Sequence, residues 1–182
     1  MKRATIIFGS VVGVVAVLVV VGFRYFMGPP REAKLLDNFY AHRAAFEQLR
    51  DMIRNDPDVY SVADWGVATK ADPAATHKTG PGSFPKDRYQ KYLALLKETH
   101  SQIVQQSPAP DHEIAVGVWS AGFAGDTVHI DICWRDEPPS RQVSSFDSYY
   151  RDHKSSAGIG HGGRTGRVYR HIDSNWYLST DL

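Results

Sequence analysis

The chain has 182 residues, 42% apolar, 12% aromatic and 23% charged, which excludes wholesale disorder, a collagen-like repeat and a coiled coil. That length suits one domain, alone or with an appendage. The 21 Lys and Arg residues against 20 Asp and Glu give a formal charge of +1, so a strongly basic nucleic-acid binder is excluded, and the single Cys excludes both an internal disulfide framework and a multi-cysteine metal site.

Met1-Lys2-Arg3 is followed by an uncharged apolar run from Ala4 to Phe23. About 20 residues at about 1.5 Å each span about 30 Å, the hydrocarbon thickness of a bilayer. The run reads as a transmembrane helix, with residues 1–24 as a single-pass signal anchor. A cleavable signal peptide is the competing reading, with Val20-Val21-Gly22 as a passable cut site. The long apolar core and the lack of an A-x-A motif favour the anchor. Lys2 and Arg3 favour a cytoplasmic N-terminus and an exported C-terminal part. Gly9 and Gly13 share one helical face, where a second copy could approach to form a dimer.

Residues 25–30 form a linker that Pro29 and Pro30 stiffen, and residues 31–182 read as one domain. Arg31 to Asn55 has an apolar stripe of Leu35, Phe39, His42, Phe46, Leu49 and Ile53, which predicts one long amphipathic helix. Asp56-Pro57 stops it, because the residue before proline avoids the helical region. Val59 to Val67 is ambiguous, with a short strand at Val59–Val62, and Ala68 to Pro85 is a polar loop. A second helix is predicted from Lys86 to Gln105, with Asp87 and Gln90 as a capping box.

The period then changes to two. Ile114, Val116 and Val118 alternate with more polar residues, as do Val128, Ile130, Ile132 and Trp134, which predicts a hairpin. Ser145 to Asp152 is a short helix. Arg167–Asp173 and Trp176–Thr180 form a closing hairpin around Asp173-Ser174-Asn175. Helices grouped before strands indicate an α+β fold: an N-terminal transmembrane helix, then two amphipathic helices packed on a mostly antiparallel sheet of about four strands.

Several groups invite a chemical reading. Gly158 to Thr165 is one residue away from a phosphate-binding loop, but Arg164 stands where that motif has Lys, and neither the preceding strand nor the following helix is present. The surrounding segment is basic, and Arg164, Arg167 and Arg170 with His161 form a candidate site for an anion or an acidic partner. His129, Asp131 and Cys133 carry nucleophilic-triad side chains. Same-face positions on a strand lie about 7 Å apart, so the three line up and do not converge. A metal at His129 and Asp131 would need further ligands such as His112 or His171. His42 and His100 lie in the stripes of the two helices, where paired imidazoles can meet. Trp119, Trp134, Trp176, Tyr169 and Tyr177 concentrate on the sheet, as core or as a binding platform. No catalytic residue, metal or cofactor is assigned.

Three segments carry a resemblance: Phe46-Glu47-Gln48-Leu49-Arg50-Asp51-Met52-Ile53, Val118-Trp119-Ser120-Ala121-Gly122, and Val168 to Leu178. In these the chain resembles small bacterial envelope proteins built from an N-terminal anchor and a compact domain. The resemblance implies a bacterial inner-membrane location with a periplasmic or extracellular domain, and brings no catalytic residue with it. The expected function is a membrane-anchored, non-catalytic domain that binds a protein partner or an envelope component, and no nucleic acid. Two alternatives stay open: a small histidine-dependent hydrolase or metal enzyme, and an envelope inhibitor or immunity protein.

Overall fold

The structure is a computed structural model, and it describes residues 29–73, 80–107, 112–123, 126–153 and 166–181. The first helix predicted from the apolar stripe is present but broken. Helix α1 runs over Glu32–Ala41 and α2 over Arg43–Arg54, with His42 between them at φ −121° and ψ 24°. Backbone bonding continues through the break, since His42 donates to Asn38 and accepts from Ala45 and Phe46. The stripe therefore stays on one side, and Leu35, Phe39, Phe46, Leu49 and Ile53 are all buried.

Strands β1 (Val59–Ala63) and β2 (Gly66–Thr69) form a hairpin turning at Asp64-Trp65. Helix α3 covers Lys86–Glu98. It ends seven residues before the predicted Gln105, and Ile103–Gln106 is strand β3. The apolar period continues through His100 and Ile103, which hid the stop. What ends the helix is local. Thr99 turns its hydroxyl back onto the Leu95 carbonyl, His100 takes φ 52°, and the Ser101 amide returns to the Leu96 carbonyl. A left-handed residue just past the last turn satisfies the open carbonyls that way. The capping box is absent too: Pro85 occupies the N-cap with no side-chain hydrogen bond, since its fixed φ already suits helix entry.

Strands β4 (Ile114–Phe123) and β5 (Asp126–Trp134) form the expected hairpin, as do β6 (Arg167–Asp173) and β7 (Trp176–Asp181). Helix α4 spans Phe146–His153. A β-bulge between Gly117 and Trp119 resets the alternation, so Trp119 stands opposite Ile130 and packs against the core. Gly117 is required at the bulge, because a Cβ there would lie 2.7 Å from Ile103 Cγ2.

The strands join one seven-stranded, wholly antiparallel sheet in the order β2-β1-β3-β4-β5-β7-β6. This corrects the expectation of about four strands. The additional strands are short segments of four or five residues, too brief to display a period. Val62, Val104, Val116, Ile132, Trp134, Val168, Trp176 and Leu178 belong to one buried core with the stripes of α1, α2 and α3.

The membrane expectation is corrected as well. No helix among the described residues is long and apolar enough to cross a membrane. The four helices have 8 to 13 residues and carry charged side chains throughout. Thirteen residues reach only about 20 Å, short of the bilayer core. No described element is thus a transmembrane helix or a single-pass signal anchor. Residues 4–23, with Gly9 and Gly13, lie outside the described residues.

Candidate functional site

The sheet face away from the main core carries a second buried cluster of Ala115, Cys133, Tyr169 and Tyr177. Strand parity explains its composition. Residue 113 just before β4, 115 and 117 on β4, 131 and 133 on β5, 177 and 179 on β7, and 167 and 169 on β6 all project to this side. Two carboxylates and two guanidinium groups close over it. Glu113, 2% exposed, accepts from Arg167 Nη1 at 2.6 Å, from Arg135 Nη1 and from the Tyr169 hydroxyl at 2.9 Å. Arg167 Nη2 pairs with Asp131, and Arg135 stacks on the Tyr169 ring at 5.1 Å. The four charges sum to zero and tie β4, β5 and β6 together.

The electrostatics leave little for chemistry. Burial works against the charge of Arg167, but Asp131 and Glu113 more than offset it and hold the guanidinium firmly protonated. Tyr169 is pushed up by burial and then by Glu113. Burial, reinforced by Glu113, raises the Cys133 thiol well above its ordinary 9.0. A neutral, fully buried thiol is a poor nucleophile.

The raised thiol has a consequence for alkaline stability. In the unfolded chain Cys133 ionises near 9.0, whereas in the folded one it stays protonated to higher pH. Its contribution is complete below that value and is lost as pH rises from there toward the folded pKa. Wild-type protein is therefore expected to lose more stability between about pH 7 and about pH 10 than Cys133→Ala does. Denaturation midpoints at both pH values measure this, and equal losses would show that Cys133 is not the source.

Of the four residues expected to hold an anion, the structure describes Arg167 and Arg170. His161 and Arg164 lie outside the described residues. Arg167 is committed to Glu113 and Asp131, while Arg170, on the opposite face of β6, pairs with Glu32 on α1. Three other histidines singled out lie apart from one another. His129 is exposed on β5, His171 contacts the Ser174 carbonyl at 2.9 Å, and His112 precedes β4. Among the described residues no three His, Cys, Asp or Glu side chains gather as a metal site. His42 and His100 do meet, with ring centres 5.6 Å apart.

A different place offers room. A cleft of about 430 Å³ opens where α2 and β3 end and β4 begins. Arg54, Lys70, Gln106, His112, Trp134 and Asp136 contribute to its lining. Each arrives by a local device. Arg54, in the last turn of α2, lies 4.7 Å over the Trp134 ring. Lys70 leaves β2 with its amide bonded to the Asp58 carbonyl at 2.9 Å. Gln106 is anchored on the carbonyls of Asp56 and Val59. His112 takes φ 41°, a backbone region that non-glycine residues enter at a cost and that clusters at functional sites. Among the described residues neither Arg54 nor Lys70 is in an ion pair. Among the described residues the cleft thus presents two cations outside any ion pair and an imidazole beside an aromatic wall, with Asp136 as a lining carboxylate.

The sequence reading missed both features. Glu113 was legible as the polar partner of Ile114 on the sheet's second face, whereas the cleft joins residues from four separate stretches. No family model matches this chain, and no curated protein or solved structure is similar to it.

Proposed function

We propose that the domain is a non-catalytic binding module that receives an acidic segment of a protein partner in the cleft at the strand ends. The observation that carries this reading is the pair of cations, Arg54 and Lys70, around Trp134, which have no carboxylate partner among the described residues. Several arginines elsewhere are paired, Arg43 with Asp173, Arg88 with Asp56, Arg167 with Glu113 and Asp131, and Arg170 with Glu32. A guanidinium held on an aromatic face keeps its charge available while its stem is fixed. Two cations and His112 around one opening suit more than one carboxylate, which favours an acidic stretch over a single small anion. The neutral charge network beneath the other face supports the sheet and leaves the cleft as the place of recognition.

The test is a set of Asp- and Glu-rich peptides, with matched Asn and Gln peptides as controls, followed by backbone amide shifts. Shifts are expected at Lys70, Gln106, His112 and Asp136, for acidic peptides alone, and should fade with added salt. Arg54→Glu and Lys70→Glu should each weaken binding by about tenfold or more, equivalent to about 1.4 kcal/mol. Equal shifts with the neutral peptides, or shifts confined to another surface, would overturn the assignment.

A further inference from the structure

The junction of α1 and α3 holds a second feature, independent of the cleft. Helix α1 ends at Ala41 with His42 as its C-cap, and α3 ends at Glu98 with Thr99 as its C-cap. The two C-termini meet. Asn38 Nδ2, one turn before His42, donates to the Thr99 carbonyl at 2.8 Å, and the next residue, His100, brings its ring against that of His42. Helix C-termini carry partial negative charge from their open carbonyls, so this junction favours a cation. Helix α1 supplies no basic side chain of its own in its last turn.

The ring geometry sharpens this. The imidazole centres are 5.6 Å apart and the planes cross at 84°. A tetrahedral ion with two imidazole ligands at about 2.0–2.1 Å places the ring centres about 5 Å apart. Neither ring hydrogen-bonds to another described residue, so their nitrogens are open to a ligand. A third donor is waiting at the same junction. With Nδ2 committed to Thr99, Asn38 Oδ1 is buried without a hydrogen-bond partner. A buried unpartnered oxygen is costly and calls for a partner.

We propose that His42 and His100 form a binding site for a divalent transition-metal cation of the zinc class, with Asn38 Oδ1 as a supporting oxygen donor. Imidazole and amide oxygen suit such an ion better than calcium or magnesium, which require more oxygen ligands. Two nitrogens and one oxygen leave a position for water. The ion would pin the C-terminus of α1 to that of α3, and so fix the break at His42.

The experiment is titration of the full-length, untagged chain with zinc chloride, followed by histidine ring resonances and by the thermal midpoint. One equivalent should perturb the His42 and His100 resonances first and raise the midpoint, as binding to the folded state alone requires. His100 is exposed, so His100→Ala should fold normally with chelator present. It should weaken zinc binding by at least the roughly 10–100-fold that loss of an outer-shell partner costs. His42→Ala should do the same. Absence of stoichiometric binding would overturn the proposal, as would binding left intact in both variants, which would place zinc on other histidines.

Discussion

Replacing Glu113 with Ala is expected to destabilise the fold by about 2–4 kcal/mol, because it removes a buried acceptor and strands two half-buried cations. Glu113 is 2% exposed and accepts from Arg135, Arg167 and Tyr169 at once. Without it, Arg135 and Arg167 each lose an ion pair with a buried carboxylate, while Arg167 keeps its pair with Asp131. The cost arises less from a lost attraction than from guanidinium groups held away from water without compensation. Glu113→Gln keeps the shape and one acceptor and should cost less. Urea denaturation of the two variants and the wild type measures this. A loss below about 1 kcal/mol for Glu113→Ala, the range of a surface ion pair, would show that water reaches the network.

Trp176→Ala is the second substitution expected to have a large effect, about 3–5 kcal/mol, from lost burial and the cavity left behind. Trp176 opens β7 and is 2% exposed. Its ring lies 5.4 Å from that of Phe39 on α1 and 6.2 Å from that of Phe46 on α2, and the Arg50 guanidinium covers it at 6.0 Å. One side chain thus joins both parts of the broken helix to the sheet. Trp176→Phe should recover much of the loss, since it keeps an aromatic contact and shrinks the cavity. Thermal and denaturant unfolding give the comparison. A Trp176→Ala variant as stable as Trp176→Phe would mean that the surrounding aromatics close over the gap.

Much of the fold was legible because long amphipathic segments show their period directly. The stripes of α1, α2 and α3, the β4–β5 hairpin and the closing β6–β7 hairpin all follow from the spacing of apolar residues. Legibility failed where the decisive signal was short or non-periodic. The end of α3 depends on Thr99 and a left-handed His100, and the apolar spacing runs straight past both. Strands β1, β2 and β3 are too brief to display alternation, yet they extend the sheet to seven. The bulge at Gly117 turned Trp119 from the polar side to the core side, a shift that strict alternation cannot anticipate.

The functional features divide the same way. His42 and His100 were visible as members of two stripes, and the packing of the helices brought them together. In the basic run, sequence shows the charge of Arg167 and Arg170 but not what compensates it. The carboxylates that occupy those arginines come from β5, from the segment before β4 and from α1.

By itself, then, the sequence determined the balanced charge, the α+β class, the helix stripes and the two long hairpins, since each is written in local composition or period. Tertiary structure alone decided the seven-strand order, the neutral network around Glu113 and the cleft between Arg54, Lys70 and Trp134. These unite residues far apart in the chain, and pairing between distant residues is set by packing, which no local pattern records.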